Sequence, residues 1–417
     1  LDRMTYGVIE IEFLEGTGYN ISSKPNEPIL KDGMKLVEYN GTNWQETTYN
    51  ADKYYKAQIT ATENGGTSYW ANAQTADGSF YVWIPRYAYR IIYFKTEDAE
   101  NKYRNGSLTE EEALKQDLIV GYSDARGIVD KQGKRPTKIA AQTAIKVNDK
   151  YFKLHPAFSN DPDLGGWDSQ LSGIWIAKFE ASKPEATDSS SGNGIIPKSV
   201  PGVLSWRGFQ KAEIGLAYTY SKDAYNKNGE LNTILNSHLM KNSEWGAVAY
   251  LTESKYGRNG TEVTANNSYI TGAAQIDTGT EKDYTSEKGQ LASSTGNLYG
   301  VYDLSGHDSY VAAYYKYSTN SQLSNGKSFA KENGISDKYS TVYESEDIND
   351  AYKYGDATLE TKNWNNDYLN WITETFCFIN RGDGSTGITP GLFLVSYSTG
   401  QGTSYTGFRV CLSIKEK

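Results

Sequence analysis

Gly296-Asn-Leu-Tyr-Gly-Val-Tyr-Asp-Leu-Ser-Gly306 is the stretch on which the reading of this 417-residue chain turns. Glycines at 296, 300 and 306 permit turns with positive φ. Tyr299 and Tyr302 can bury their rings while their hydroxyls satisfy loop backbone. These features are scaffold, not chemistry. Further along, residues 376–407 read FCFINRGDGSTGITPGLFLVSYSTGQGTSYTG and run into Phe408-Arg409-Val410-Cys411-Leu412. Of those 32 residues, 18 are Gly, Ser, Thr or Tyr, and only Arg381 and Asp383 are charged. Two readings fit: a Gly-rich surface loop, or a recognition surface in which Tyr supplies stiff contact area while Ser and Gly adapt.

Composition narrows the classes. With 38% hydrophobic and 22% charged residues the chain is globular. It holds no apolar run of the length that spans a bilayer. Leu1 stands where an initiator Met would, so the segment is expected to be processed or trimmed. A net charge of −9 with no dense basic cluster argues against nucleic acid as a partner. Two cysteines are too few for a disulfide scaffold, and no C-x-x-C occurs. The 34 Tyr, with 9 Trp and 12 Phe, favour strands and an extracellular setting.

Residues 1–77 read as an N-terminal β module or extension. Tyr6-Gly-Val-Ile-Glu-Ile-Glu-Phe13 alternates as a half-buried strand does, and Asp32-Gly33 and Asn40-Gly41 are turn pairs. Phe80-Tyr-Val-Trp-Ile-Pro-Arg-Tyr87 is a core strand ended by Pro85. Ser107-Leu-Thr-Glu110 fits a capping box before a helix over 110–118, and 120–150 reads as an exposed connection. Strands are expected at 151–158 and 173–181, the second presenting Lys178 and Glu180 on one side, with a Ser/Gly/Pro-rich loop over 182–199. Two helices follow, over 211–225 and 231–251. The second carries Leu235, His238, Leu239, Trp245 and Val248, which makes His238 a packed core histidine. Long loops or hairpins are expected from 252 to 294.

Trp245-Gly-Ala-Val-Ala-Tyr-Leu251 on a helix, then the 296–306 string, then Arg381-Gly382, then Gly407-Phe408-Arg409 form an ordered set. That order resembles the formylglycine-generating enzyme (sulfatase-modifying factor) family, whose members show an E-W helix, N-x-Y-G-x-Y-D-M-S-G, R-G-G-S and G-F-R. The resemblance covers residues 78–417. It implies an α+β, C-type-lectin-like fold: small twisted antiparallel sheets, two main helices and long loops. Arg409 would then tie loops together through carbonyl or carboxylate groups.

The catalytic features of that family do not carry over. Its oxidising members use a close cysteine pair, whereas Cys377 and Cys411 stand 34 positions apart. Whether the two meet as a disulfide or thiol pair stays open. Its iron-dependent members use His-x-x-x-His-x-Glu, and His155, His238 and His307 are not so spaced. His307 and Asp308 follow the string where family members carry Trp-Glu; a loop-surface role is expected for both. No loop spells a dedicated calcium site, and no cofactor or metal is expected.

The better match is to the variable proteins of diversity-generating retroelements, which display mutated residues on this fold. Arg381-Gly-Asp-Gly-Ser-Thr-Gly387, Gly391-Leu-Phe393, Gly400 and Gly407-Phe-Arg409 follow their variable segment, with Asp383 and Pro390 departing from it. The resemblance implies Gly382, Gly391, Gly400 and Gly407 as frame. It implies Asn380, Asp383, Ser385, Ile388, Phe393, Val395, Tyr397, Thr399, Thr403 and Tyr405 as ligand-facing. Tyr397 and Tyr405 would anchor, and Phe393 and Val395 would form an apolar patch. The function implied is non-enzymatic binding of a protein or glycan ligand on a cell surface. Such a protein would be extracellular, displayed on a bacterial surface, pilus or phage particle, with a pilus or tail subunit as assembly partner. The alternatives are a family oxidoreductase and a purely structural pilus or tail subunit.

Overall fold

The computed structural model describes residues 4–31, 33–57, 68–137, 143–182, 196–206, 213–225, 235–330, 337–383 and 388–414. The fold is α+β, with several small, mostly antiparallel sheets and few helices. The first seven-stranded sheet is built on Tyr87–Phe94, which pairs with Tyr6–Leu14 over eight registered positions and also with Lys150–Leu154 and Ile119–Asp124. The second runs in the order Leu235–Leu239, Val410–Ile414, Gly173–Ala177, Phe80–Pro85, Asn72–Gln74, Lys35–Tyr39 and Trp44–Glu46. A five-stranded sheet joins Thr341–Tyr343, Asp308–Tyr315, Phe378–Gly382 and Gly391–Ser398, with Thr406–Phe408 lying parallel to Asp308–Tyr315. Four helices are described: α1 (Glu97–Arg104), α2 (Glu110–Lys115), α3 (Ile214–Asp223) and α4 (Asn242–Glu253).

The expected strand at the N-terminus forms, and the Asn40-Gly41 turn closes the Lys35–Tyr39/Trp44–Glu46 hairpin with Gly41 at φ 97°. Asp32 and most of the 182–199 loop lie outside the described residues. The boundary expected at residue 77 falls inside the Asn72–Gln74/Phe80–Pro85 hairpin, so the N-terminal strands belong to the same sheets as the rest.

Three local expectations are corrected. The 231–251 segment is not one helix. Leu235–Leu239 is a strand paired along Val410–Ile414, and α4 begins only at Asn242. A period-2 stretch running straight into a period-3.6 stretch mimics one long helical stripe. All twelve residues of α4 are buried, so it is a core helix, apolar or internally bonded all round. Helix α2 is capped by Thr109, not Ser107: Thr109 and Glu112 exchange hydrogen bonds of 2.9 and 3.2 Å. Glu110 instead pairs with Arg90 and Lys150. The 120–150 connection is partly core, since Ile119–Asp124 and Gly127–Asp130 extend the first sheet around a turn in which Asp124 accepts from the Arg126 N–H at 2.8 Å.

Polar groups hold the interior together. Glu360 is fully buried and accepts from Lys153 (2.8 Å), Tyr89, Tyr250 and Tyr352 (2.7 Å each), Ser123, and the Gly355 N–H (2.9 Å). Burial alone would raise its pKa. The Lys153 ammonium and the ring of donors outweigh burial and hold it down at about 2.

The 296–306 string has no regular secondary structure and is bound in place by two buried cations. The Lys178 ammonium donates to Leu298 O, to Gly300 O (3.0 Å) and to Asn72 Oδ1 (2.8 Å), which uses all three of its protons. Lys178 and Glu180 both lie just past the Gly173–Ala177 strand and are wholly buried. As the resemblance implied, Arg409 ties segments through carbonyls, donating to Ala177 O and Tyr302 O at 2.6 Å each. Gly296 and Gly306 take positive φ, but Gly300 does not. A Cβ at Gly300 would stand 2.7 Å from the Thr295 backbone nitrogen, so close approach excludes a side chain there. The tyrosine hydroxyls do bond backbone: Tyr299 accepts from the Tyr39 N–H and Tyr302 donates to Tyr284 O.

Arg409→Met leaves two buried carbonyls without donors. It should lower unfolding free energy by about 3 kcal/mol in denaturant titration.

Candidate ligand-binding surface

The C-terminal segment is a hairpin, Phe378–Gly382 against Gly391–Ser398, whose backbone is fixed from beneath. Arg381 is fully buried and donates to Asn242 Oδ1 (3.2 Å), Asp356 O (3.3 Å) and Ala357 O (2.9 Å), with its guanidinium 5.5 Å from the Trp245 ring centre. Burial pushes its pKa down to about 10, so it stays charged at neutral pH. Asp308 Oδ2 accepts from Asn380 Nδ2 (2.9 Å) and Thr406 Oγ1 (2.6 Å), joining the hairpin to the strand that follows it. The outer strand is covered in turn. Val395 N–H donates to Tyr368 O, and Asn370 N–H to Val395 O.

Two of the four frame glycines, Gly382 and Gly400, have positive φ of 87° and 70°. The other two are demanded by contact. A Cβ at Gly391 would lie 1.7 Å from Asp367 Oδ1, and one at Gly407 would lie 2.6 Å from the Glu180 carboxylate.

The structure divides the ten expected ligand-facing residues into three groups. Asn380, Phe393 and Val395 are buried, at 6%, 2% and 0% exposure. The apolar patch expected at Phe393 and Val395 is therefore core: Phe393 packs on Trp364 at 5.5 Å, and the 368–370 segment shields Val395. Asp383 and Ile388, both half-buried, sit at the turn end of the hairpin; Ser385 lies outside the described residues. Tyr397 and Thr399 lie at the opposite end, while Thr403 and Tyr405 come back level with the turn end, where Thr406 pairs with Asp308. Gly391–Ser398 spans about 23 Å of extended chain between the two ends.

The Tyr397 end is the better formed. The Phe376 and Tyr397 rings pack at a tilt of 36° with centroids 4.3 Å apart. From Thr399 onward the chain runs back along the sheet toward Asp308 with its carbonyls tied down. Thr399 O accepts from Asn325 Nδ2 (2.9 Å), Gly400 O from Ile214 N–H (2.9 Å) and Gln401 O from Tyr310 Oη (2.8 Å). The Thr403 and Thr406 hydroxyls bond at 2.5 Å, and Tyr405 stands 46% exposed. Beside this face lies a groove of about 360 Å³ lined by Ser318, Thr319, Asn320, Leu323, Ser324 and Lys327. Thr319 joins it to the segment through its hydroxyl and N–H to Glu374 Oε1, which hold that exposed carboxylate below its usual range. The face thus offers paired rings, hydroxyls and amides on fixed backbone. Phe376 was not among the expected residues; its signal was position alone, an aromatic side chain just before the hairpin.

The remaining candidates are interior. His307 and Asp308, expected at a loop surface, are 0% and 3% exposed and do not pair with each other. His307 meets Glu180 through Nδ1 and Ser268 O through Nε2 (3.0 Å), while Glu180 also accepts from Ser309 Oγ at 2.5 Å. Cys377 and Cys411 are free and buried. Cys411 lies in the second sheet, whereas Cys377 directly precedes a strand of the five-stranded one. Comparison with known protein families gives no match, and no curated protein matches the sequence.

Asp367 couples the hairpin to pH. Its Oδ2 accepts the Phe393 N–H at 2.8 Å, and burial raises its pKa to about 7, against 3.8 ordinarily. Its stabilising contribution is complete below the unfolded value and is lost as pH rises through about 7. Asp367→Asn keeps an acceptor for Phe393. It should flatten the decline of Tm between about pH 4 and pH 7 relative to the parent chain in scanning calorimetry.

Proposed function

We propose that this chain is a non-enzymatic ligand-binding protein with a C-type-lectin-like fold of the formylglycine-generating enzyme type. In this reading its variable C-terminal segment is diversified by a retroelement, and it is displayed outside the cell on a bacterial surface, pilus or phage particle. Its partner is a protein or glycan on another surface. The observation that carries the reading is the separation within residues 376–409. Arg381, Gly391, Gly407 and Arg409 are buried and bonded, while Phe376, Tyr397, Thr399, Thr403 and Tyr405 reach the surface on backbone those groups hold. Affinity then derives from a pre-organised aromatic and hydroxyl face, not a deep pocket. The expected site contracts accordingly to the surface side chains of Tyr397, Thr399, Thr403 and Tyr405, with Phe376 beside them.

Cys377 also supports binding over oxidation chemistry. Burial raises the Cys377 thiol to about 11, which disfavours the thiolate that redox reactions use. Among the described residues, no helix is long and apolar enough to cross a membrane.

The test is binding of the purified chain to arrays of cell-surface proteins and glycans. Tyr397→Ala with Tyr405→Ala should weaken each ligand found by about 30-fold or more, with unchanged Tm. Intact binding by the double variant rejects this face. Thiol-dependent oxygen consumption abolished by Cys377→Ser rejects the non-enzymatic reading.

A further inference from the structure

His238 and Cys411 stand directly opposite each other in the Leu235–Leu239/Val410–Ile414 ladder, and Glu244 reaches the same point from the first turn of α4. One ligand atom of each lies within 4.8 Å of the others, and all three residues are buried. Each of the nitrogen and oxygen ligands is oriented from behind. His238 Nδ1 lies 2.9 Å from Asn236 O, which places the N–H there and directs the Nε2 lone pair at Glu244 Oε1, 2.7 Å away. Glu244 Oε2 accepts the Lys241 N–H at 2.8 Å, so Oε1 is the free oxygen. The Trp167 ring covers the imidazole at 4.9 Å.

An imidazole nitrogen and a carboxylate oxygen that close together need a cation between them. A proton serves that pair, and the Cys411 thiol turns to the same Glu244 carboxylate. A divalent ion serves all three. We propose that His238 Nε2, Glu244 Oε1 and Cys411 Sγ form a binding site for a borderline-soft dication of the zinc class. Nitrogen, oxygen and thiolate sulfur are the ligand types that zinc accepts together. A carboxylate and a thiolate carry two negative charges, which the ion cancels, so the buried site is neutral. Three protein ligands leave one position for a small enclosed ligand such as water. The site joins two strands of the second sheet to the start of α4, two residues from Arg409. Its role is structural: it clamps the core helix to the sheet from which the C-terminal segment is hung.

The test uses the full chain, refolded or expressed with zinc supplied. One zinc per chain, with a single sulfur at about 2.3 Å and nitrogen or oxygen at about 2.0–2.2 Å in X-ray absorption, is the expected result. Cobalt in place of zinc should show a thiolate charge-transfer band. That band should persist in Cys377→Ser, while Cys411→Ser and His238→Gln should weaken cobalt binding by about 100-fold or more. Absence of bound zinc, a zinc shell without sulfur, or a cobalt band lost with Cys377→Ser overturns the site. The absorption measurement on the unmutated chain decides the matter even where a variant fails to fold.

Discussion

Buried backbone carbonyls at the points where the chain leaves one sheet for another set the terms of this fold. Strand geometry satisfies carbonyls within a sheet, but a segment passing between sheets has no ladder partner and no water. The chain meets that constraint with arginine. Arg409 lies between Thr406–Phe408 of the five-stranded sheet and Val410–Ile414 of the second. Arg86, between Phe80–Pro85 of the second sheet and Tyr87–Phe94 of the first, instead ties in the exposed Gly18 loop through its carbonyl and the Gln170 side chain. Arg381, with Arg86 and Arg409, is among the largest fully buried side chains, and it ties the hairpin to the 356–357 carbonyls. A planar guanidinium spans two carbonyls at once, which a lysine ammonium cannot do in the same geometry.

That arrangement has a consequence for the C-terminal face. A recognition loop can tolerate many side chains only if its backbone does not depend on them. Between Thr399 and Gln401 the carbonyls are held by Asn325, Ile214 and Tyr310, all from other parts of the chain. The side chains of Tyr397 and Tyr405 are left to face outward, while Thr399 Oγ1 and Thr403 Oγ1 accept the Gln401 and Thr406 N–H groups. Desolvating the arginines and Glu360 is costly in itself, and their hydrogen bonds offset that cost, even though Nε of Arg381 and of Arg409 has no partner among the described residues.

Much of this was legible in the sequence where the signal is local. The alternation in Tyr6–Leu14 gave its strand and Asn40-Gly41 its turn, because each depends on neighbouring residues; the Arg409 anchor came only from the family resemblance, since its carbonyls lie 107 and 232 positions away. What failed depended on distant ones. Leu235–Leu239 became a strand because Val410–Ile414 pairs with it, a partner some 170 positions away that no window includes. Phe393 and Val395 were expected outside, yet the 368–370 segment closes over their strand. His307 looked like a loop residue, and Glu180 from another strand draws it inside. The Glu360 network was invisible for the same reason. Its donors come from Ser123, Lys153, Tyr89 and Tyr250, four separate elements.

The central claim is that a fixed, arginine-pinned frame carries an exchangeable face. Sequencing the codons for residues 376–409 across many copies of the gene from one natural population tests it most directly. The account expects replacements concentrated at Tyr397, Thr399, Thr403 and Tyr405, with Arg381, Gly391, Gly407 and Arg409 unchanged. Replacements spread evenly along the chain, or constancy throughout 397–405, would contradict it.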